Sequence, residues 1–475
     1  MAAEVAIRLD TEDFLTPESD LALASILDAL ERHGARATFP LVAAKLAAWQ
    51  RWGHGDLVAR LGRHAVGYHS ATHSLHPTIA EELAPLSWSE AQAAFAAREA
   101  AGFAAVQAAF GPPACWTQPG GNWTAAALPV LRGWGVPFEF SEAWNSYLDF
   151  GGAPCHYGGL LHWSPPVRAP KPFLSALPDC LEAAMAQIGQ AMEDRSADDP
   201  PLCIVAHPTE LCTTAFWDAT NFARGHQPPE AEWRPAPLRS SQETAEAVAA
   251  FDAFLGGLRA FGLQCITAEE LAARFPDRAA GAVLSRNDVE QLAFSVSGSA
   301  GWVEGEAFAL SAAEVLGLLC AVLTAPGRNA VPVRFHAGPE DAPPSEAVRG
   351  PVARPDLLAA ARWCAEFMDR HGWVPHGVPL GRGVAAPADL LAAMARALQD
   401  PDAPTLVLRE TPVVGERYVK EPSRLHWDWP VFPNGFAPLG LWRQARLQAW
   451  TLKPAGERHG RAGRWQCAEV GPPAS

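Results

Sequence analysis

The chain has 475 residues, of which 49% are apolar and 19% charged, and its formal net charge is −15. This length exceeds the usual size of one hydrophobic core, so we expect two or more domains, and the composition excludes a wholly disordered chain. The acidic balance argues against nucleic acid or an anionic membrane as the main partner, because phosphate binding requires clustered Lys and Arg.

The cysteine pattern and the N-terminal residues indicate in which cellular compartment the protein is expected. The nine Cys form no CxxC pair, so neither a zinc ribbon nor a disulfide framework is indicated. Residues 1–10 lack the basic and apolar regions of a signal peptide. The most apolar run, 315–323, is far shorter than the ~20 residues of a membrane-spanning helix. We therefore expect a cytoplasmic protein without a membrane span, and the sequence leaves the oligomeric state open.

Strand and helix patterns alternate through the first 275 residues. Strands are predicted at 4–10, 37–42, 64–69, 136–141 and 201–208, helices at 17–33, 56–62, 89–110 and 242–260, and a further strand–helix pattern at 263–275. Such alternation is typical of βα units around a largely parallel sheet or barrel. In these folds the reactive residues follow the carboxyl ends of the strands.

From about residue 280 the strand pattern fades and a two-copy repeat is indicated. Residues 286–323 and 356–398 each contain a helical segment, the tripeptide Gly-Trp-Val, a short apolar linker and a second helical segment. Two copies are fewer than a solenoid needs, and two unrelated amphipathic helix pairs are the alternative. We expect a first domain over 1–278, a mainly helical region over 279–400 and a Trp- and Pro-rich extension over 401–475.

Three groups of polar residues follow predicted strands. The first is the segment DTED at 10–13, whose carboxylates repel one another unless a cation lies among them or one of them holds a proton. The second is His69 with His73, which one helical turn would place on one side, within reach of a divalent metal. The third is His207, at the end of an apolar strand.

Each group alone also has an ordinary structural explanation. A HxxxH pair arises by chance about 0.5 times in a chain with this His content. Carboxylates before a helix favour its N-terminus through the helix dipole, and a His at a strand end is commonly a satisfied structural residue. Their order carries more information: carboxylates follow the first strand, HxxxH follows the third, and a single His follows a late strand.

In this order the first 275 residues resemble the NodB-homology polysaccharide deacetylases, carbohydrate esterase family four. The segment at 62–77 (GRHAVGYHSATHSLHP) is similar to the family's second motif, His-(Ser/Thr)-x-x-x-His-Ser, and 33–42 is similar to the strand before it. The segments 9–13 (LDTED) and 204–208 (IVAHP) resemble the first and closing motifs. The runs LDTEDF and HPTELC, with FWDATNFARG after the second, resemble the bacterial branch named for the lipopolysaccharide-biosynthesis protein WalW.

The resemblance implies an α/β fold, a distorted (β/α) barrel of the NodB-homology type, followed here by the mainly helical C-terminal region. It also implies one divalent metal ion, with His69 and His73 as ligands. The third ligand is a carboxylate, for which we prefer Asp13 and keep Glu12 as the alternative. Zn²⁺ is the expected metal, while Co²⁺ and Ni²⁺ also suit two His and one carboxylate.

The same resemblance makes Asp10 the general base and His207 the general acid of acetyl hydrolysis. The family's third motif, Arg-x-Pro-x-Gly, is similar to 117–121 (TQPGG), where the Arg is missing. Because that Arg normally steadies the base, either another cation replaces it or catalysis is weaker. Gly120 keeps a backbone N–H that could hold the oxyanion.

Substrate contacts are expected near this third motif. Pro119 and Gly120 belong to the motif itself, and the rings of Trp123 and Trp144 follow it. An indole ring suits the wall of an acyl pocket or a stacking contact with a sugar face. Packing inside the fold is the alternative for both Trp side chains.

We therefore expect a metal-dependent hydrolase that removes an N- or O-linked acetyl group from a sugar of a cell-envelope polysaccharide or its precursor. Two alternatives stay open: an amidohydrolase of the same fold acting on a small cyclic or linear amide, and a carbohydrate-binding protein that has lost catalysis. The repeat region weakly resembles pseudomurein-binding repeats, which would indicate a glycan partner. A helical cap or an oligomerisation surface is the alternative for that region.

Overall fold

The computed structural model describes residues 3–142, 146–165, 177–194, 201–296, 298–425, 427–456 and 466–467. The two largest hydrophobic cores divide the chain. One lies within the first 263 residues and takes in further side chains from the C-terminal part, and the other lies mainly within 279–408. In the described part of the chain, no helix combines the length and apolarity that crossing a membrane requires.

Short strands build the N-terminal part, and most of them are fully buried because helices cover the sheet. The strands in this part are β1 (Glu4–Leu9), β2 (Thr38–Leu41), β3 (Ala65–Tyr68), β4 (Phe138–Phe140), β5 (Cys155–Tyr157), β6 (Leu160–Trp163), β7 (Leu202–Ala206) and β8 (Gln264–Ile266). β1 is central: it pairs in parallel with β2, β7 and β8, and β2 pairs in parallel with β3.

The sheet continues past β3 through a single residue. Trp116 forms parallel bridges with Tyr68 and with Glu139, which links β3 to β4. β4 pairs in parallel with β6, and β6 pairs with β5 in the antiparallel sense. No pairing of β6 with β7 is found among the described residues, so the predicted parallel α/β organisation is confirmed but closure into a barrel is not.

Ten helices of the described N-terminal part surround this sheet. They are α1 (Glu18–His33), α2 (Ala43–Trp52), α3 (Gly55–Leu61), α4 (Ile79–Leu83), α5 (Trp88–Phe110), α6 (Ala127–Gly133), α7 (Leu177–Glu193), α8 (Trp217–Phe222), α9 (Ser241–Ala260) and α10 (Ala268–Arg274). α1 illustrates the local rules. It begins with acidic residues in its first turn, buries apolar side chains at helical spacing and ends at Gly34, whose φ of 61° suits glycine.

The region after residue 279 contains short strands as well as the predicted helices. The first segment comprises β9 (Val283–Ser285), α11 (Arg286–Ala293), β10 (Val303–Glu304), β11 (Ala309–Leu310), α12 (Ala312–Thr324) and β12 (Ala330–Pro332). The second comprises β13 (Gly350–Ala353), α13 (Arg354–His371), β14 (Val378–Leu380), β15 (Gly383–Ala385), α14 (Pro387–Gln399) and β16 (Thr405–Leu408). In each segment the outer strands pair with each other and the inner strands form a hairpin. The two segments therefore share one order of elements, as the repeat hypothesis requires.

An arginine occupies the same place in both segments. Arg286 is the first residue of α11, and Arg354 is the first residue of α13. Each guanidinium donates hydrogen bonds to carbonyl groups at or just beyond the end of the second helix of its own segment. The acceptors are Val322, Ala325 and Pro326 for Arg286, and Ala397, Asp400 and Ala403 for Arg354. A cation suits the negative end of a helix dipole.

The chain after β16 returns to the N-terminal part. It contains α15 (Leu439–Gln448), β17 (Lys453–Pro454) and β18 (Gln466–Cys467). β17 pairs with β5, whereas β18 pairs with β10 of the first repeat segment. The Tyr157 hydroxyl donates a 2.6 Å hydrogen bond to the Ala445 carbonyl. The extension thus packs against both cores.

Candidate metal centre

The parallel register brings three predicted site residues to one edge of the sheet. Leu9 of β1 lies opposite Ala206 of β7, and the neighbouring strands β2 and β3 end together. The residues that follow these strand ends are Asp10, His69 and His207. All three side chains are buried or nearly so, at the edge where α/β folds place their ligands.

Glu12 joins the two histidines into a compact cluster. The Glu12 Oε2 atom lies 3.1 Å from His69 Nε2 and 2.9 Å from His73 Nε2. The three side chains are at most 3% exposed, and their ligand atoms lie within 4.8 Å of one another. In the described part of the chain, this is the one group of three or more such side chains with metal-binding spacing.

Hydrogen bonds behind the cluster determine which imidazole nitrogen faces it. His69 Nδ1 lies 2.8 Å from the carbonyl oxygen of Thr117, which can only accept, so Nδ1 carries the hydrogen. Ser74 Oγ donates to Asp218 Oδ2 at 3.2 Å and therefore accepts from His73 Nδ1 at 2.6 Å. In the neutral form, each imidazole therefore directs a lone pair on Nε2 towards Glu12.

The cluster needs positive charge at its centre, which either a metal ion or protons on the imidazoles would supply. With neutral imidazoles, two lone pairs and a carboxylate oxygen converge there, as they do around a bound metal. Glu12 is also fixed from behind, because its Oε1 accepts a 2.9 Å hydrogen bond from Trp217 Nε1. Such outer hydrogen bonds are typical of metal ligands. Two imidazoles and one carboxylate are a donor set that divalent Zn²⁺, Co²⁺ or Ni²⁺ accepts, so these residues fit the predicted metal.

Of the two carboxylates predicted as third ligand, the alternative Glu12 lies against the imidazoles and the preferred Asp13 does not. Asp13 Oδ1 accepts hydrogen bonds from the backbone N–H groups of Leu15 and Thr16, and Oδ2 accepts one from the Thr209 hydroxyl. The carboxylate therefore turns back into its own loop and towards the chain after β7. Burial raises the pKa of Asp13, and the charge of Lys45 and these hydrogen bonds oppose the rise.

The expectation that one helical turn joins His69 to His73 is also corrected. Residues 69–73 form a loop after β3, not a helix. Ser70 and His73 adopt positive φ values of 72° and 58°, a backbone conformation that costs non-glycine residues roughly 1–2 kcal/mol. The loop is held by the His73 N–H, which donates to Ser70 Oγ at 2.9 Å. Backbone strain of this kind is common where a site requires a particular side-chain direction.

Asp10 lies beside the cluster and is held by an arginine from its own strand. Arg8 Nε donates to Asp10 Oδ1 at 2.9 Å and Arg8 Nη2 donates to Oδ2 at 2.8 Å. The same guanidinium reaches Glu142 Oε1 at 2.9 Å. Burial raises the pKa of Asp10, but nearby positive charge, first that of Arg8, outweighs this effect and holds the pKa below its usual value.

His207 faces Asp10 from the end of β7. Its Nδ1 lies 3.2 Å from Glu210 Oε1, and since a carboxylate oxygen accepts, Nδ1 donates. Its Nε2 lies 3.8 Å from Asp10 Oδ2. The ring of Phe216 packs edge-on against the imidazole, with centroids 4.9 Å apart. His207 is therefore oriented by one carboxylate and directed at another.

These residues line one pocket with a volume of about 450 Å³. Six segments of the chain supply its wall. The lining residues are Arg8, Asp10, Glu12, His69, His73, Gln118, Gly120, Gly121, Glu142, His207, Phe216, Asp218, Ala219, Asp428, Trp429 and Pro430. The pocket contains every predicted catalytic residue and every predicted metal ligand except Asp13.

The predicted substrate contacts agree only in part. Gly120 lines the pocket, whereas Pro119 is buried and its carbonyl accepts hydrogen bonds from Asn122. Trp123 does not line the pocket: it is 2% exposed and packs against Trp427, 5.1 Å between centroids. It is a packing residue, as the alternative held. Trp144 lies outside the described residues.

Several pocket residues were not predicted from the sequence. The role of Arg8 could have been predicted from the sequence. Arg8 is the only charged residue inside β1 between buried apolar positions. Because residues two apart on a strand share a face, its side chain is expected on the side of Asp10. Trp217, which lies behind Glu12, and Asp218 belong to the run FWDATNFARG, which gave no sign that they contact the ligands. Trp429 is separated from the first motif by more than 400 residues, so no local pattern places it here.

Comparison with known proteins yields structural matches alone. No protein-family model matches the chain, and no curated protein sequence matches it. A family 4 carbohydrate esterase from Streptomyces lividans is 18% identical, covers 55% of this chain and 91% of its own, and has a TM-score of 0.29. A polysaccharide deacetylase from Bacillus cereus is 19% identical, with 55% and 90% covered and a TM-score of 0.30.

A third match is the mutant of a CE4 family pseudoenzyme with restored enzymatic activity. It is 14% identical, with 57% of this chain and 68% of that chain covered and a TM-score of 0.32. TM-scores of this size do not establish a shared fold. The WalW-like branch and the likeness to pseudomurein-binding repeats find no support in these comparisons.

Proposed function

We propose that the protein is a metal-dependent hydrolase that removes an N- or O-linked acetyl group from a sugar of a cell-envelope polysaccharide or its precursor. The observation that carries the proposal is the convergence of two imidazoles and a carboxylate beside Asp10 and His207 in one pocket. The motifs at 9–13, 62–77 and 204–208 support membership of the NodB-homology deacetylases.

The metal is proposed to be held by Glu12, His69 and His73. When bound, a divalent metal polarises the acetyl carbonyl and lowers the pKa of a water molecule to about 7. The protein's own part is to hold three ligand atoms in place. It does so through the Trp217 indole behind Glu12, the Thr117 carbonyl behind His69 and the Ser74 hydroxyl behind His73.

Asp10 is proposed as the general base. It takes a proton from the attacking water, which requires its carboxylate to be ionised. The two hydrogen bonds from Arg8 stabilise the ionised form and fix the orientation of the carboxylate. Arg8 thereby takes the part of the arginine that is missing from the segment 117–121.

His207 is proposed as the general acid. A protonated imidazole can give its proton to the leaving amine or alcohol. Glu210 accepts from Nδ1 and so orients the ring, with Nε2 on the side of the pocket. The oxyanion is proposed to be held by the backbone N–H of Gly120, which lines the pocket together with Gln118 and Gly121 of the same segment.

A carbohydrate-binding protein that has lost catalysis accounts less well for these contacts. Its support was the missing third-motif arginine, and Arg8 now contacts the base directly. Asp10, Glu12, His69, His73 and His207 are all present and face one pocket. Retention of a base, an acid and a complete ligand set is expected of an active enzyme.

Metal content and acetate release test the proposal. We would measure the bound metal by mass spectrometry in the purified protein and in the His69→Ala/His73→Ala double variant. The His371→Ala/His376→Ala variant, with both histidines exposed on the second repeat segment, is the matched control. About one metal ion per chain, lost in the first variant alone, is expected. Acetate release from N-acetylated chito-oligosaccharides should follow the metal content.

Each contrary result has a distinct meaning. Absence of metal from the wild-type protein after reconstitution with Zn²⁺, Co²⁺ or Ni²⁺ would overturn the metal centre. Bound metal without acetate release from any acetylated sugar would overturn the deacetylase proposal. Hydrolysis of small cyclic or linear amides in the same assay would then identify the alternative amidohydrolase.

A further inference from the structure

One wall of the candidate pocket comes from the C-terminal part of the chain. Residues 427–433, here called the strap, follow the second hydrophobic core and cross back to the N-terminal part. Asp428, Trp429 and Pro430 of the strap line the pocket. The next residue, Val431, is fully buried, so the pocket wall is continuous with packed structure.

The strap is attached to the loop after α8. The backbone N–H of Arg224 donates to the Pro430 carbonyl at 2.9 Å, and that of Gly225 donates to the Val431 carbonyl at 2.9 Å. Arg224 adopts a φ of 57°, a conformation that a non-glycine residue adopts at a cost. A strained residue of this kind persists because such contacts hold it in place. The two backbone hydrogen bonds therefore fix the strap to the loop after α8.

The strap also packs against the loop of the third motif. The Trp429 indole lies so close to Gly120 that a Cβ atom there would overlap the ring. Gly120 additionally has a φ of 49°, which favours glycine. The same indole meets His73 edge-on, with centroids 5.6 Å apart. Trp429 therefore spans the space between the third-motif loop and the imidazole of a proposed ligand.

We propose that the strap closes one side of the pocket, so that the enzyme acts on a single acetylated sugar or on the last sugar of a chain. A sugar inside a polymer continues in two directions and needs two open exits from the pocket. The strap bridges the 118–121 loop and the loop after α8, and so closes one of these two exits. Trp429 is then a specificity-determining residue that presents an indole ring to the sugar. This inference rests on the proposed function and narrows its substrate class.

The test uses binding as well as turnover. Two analogues carry a metal-binding hydroxamate in place of one acetyl group: one is a single glucosamine, and the other is a tetrasaccharide with the hydroxamate on its second sugar. Each is titrated calorimetrically into Zn²⁺-loaded full-length protein. The wild type should bind the single sugar at least about tenfold more tightly. In Trp429→Ala the difference should fall to about twofold or less.

Control variants keep the result interpretable. Trp363→Ala removes a partly exposed indole from α13 and should retain the wild-type preference. Trp429→Phe keeps a ring at the wall and should lie between the wild type and Trp429→Ala. Equal binding of the two analogues by the wild type would overturn the proposal, as would failure of the single-sugar analogue to bind.

Turnover gives the second readout. Mass spectrometry of products from N-acetylated chitotetraose should place the first free amine on a terminal sugar, whereas first deacetylation at an internal sugar would overturn the proposal. If no acetylated sugar releases acetate but the single-sugar analogue still binds preferentially, the proposed deacetylase function is wrong. The inference that the strap closes one side of the pocket is then still supported. The two failures are therefore distinguishable.

Discussion

Arg8 and Asp10 form a paired hydrogen bond within one strand end, two residues apart, with both side chains buried. Side chains two apart on a strand lie on the same face, so a single residue of β1 can hold the carboxylate that follows it. The proposed base is therefore oriented from its own strand, and the segment 117–121 needs no arginine for this purpose.

This pairing predicts the pH dependence of catalysis. Asp10 acts as a base only when ionised, and the charge of Arg8 holds its pKa down. Removing that charge in Arg8→Met should raise the pKa of Asp10 and move the acid limb of kcat/KM to higher pH by about one pH unit or more. Arg8→Lys should restore part of the shift because it restores the charge. An acid limb that stays in place in Arg8→Met, with metal content unchanged, would contradict this role.

The choice of third ligand predicts a contrast between two adjacent carboxylates. Glu12→Gln should reduce metal affinity by more than about 100-fold. This is a larger loss than is typical when a residue that hydrogen-bonds to a metal ligand is substituted. Asp13→Asn should retain about one metal per chain, because an amide oxygen can still accept from Leu15 and Thr16. Competition with a chromophoric chelator measures both affinities. Loss of metal in Asp13→Asn with a retained circular dichroism spectrum would favour Asp13 instead.

His64 predicts a loss of stability in mild acid. Its ring packs edge-on against Phe39, and its Nδ1 accepts from the Ala37 N–H at 3.3 Å, so the folded protein requires the neutral ring. Burial, with the charge of Arg36 adding to it, lowers the pKa of His64 to about 4. The neutral ring therefore contributes to the free energy of unfolding at pH values above the pKa of His in the unfolded chain, about 6.5. This contribution is lost as the pH falls towards 4.

The size of this effect can be measured with one variant. Between pH 7 and pH 5 the wild type should lose about 2 kcal/mol of unfolding free energy through His64. His64→Gln keeps an acceptor for the Ala37 N–H but does not titrate, so its loss over this range should be smaller by that amount. Urea unfolding at the two pH values provides the comparison. Parallel losses in the two proteins would show that His64 is not the titrating group.

The equivalent arginines of the two repeat segments predict equivalent costs. Arg354→Ala removes a charged donor from three carbonyl groups that lie in the last turn of α14 or just after it. Arg286→Ala does the same at the end of α12. Hydrogen bonds from charged groups support a loss of about 2 kcal/mol in each case. Arg362→Ala, at an exposed position of α13, should cost less than about 0.5 kcal/mol. Denaturant unfolding would measure all three, and a cost confined to one segment would argue against a structural repeat.

The elements of the N-terminal part could be predicted because their signals are local. β1, α1, β3 and α5 agree with the sequence within one or two residues, since apolar periodicity and capping residues lie within the element itself. The short hairpins of the repeat region carry too few residues for such a signal. Closure of the sheet depends on pairing between distant strands, and the described residues show no pairing of β6 with β7.

By itself the sequence determined that Asp10, His69 and His207 follow strands of one parallel sheet, and a shared sheet edge then brings them together. Only the tertiary structure decided that Glu12 and not Asp13 faces the imidazoles. A side chain's direction in a loop depends on its hydrogen-bond partners, and here those are Trp217 for Glu12 and Thr209 for Asp13. No local sequence pattern could predict that Trp429 lies in the pocket. Its position depends on the path of the chain, which leaves the second core and returns to the first.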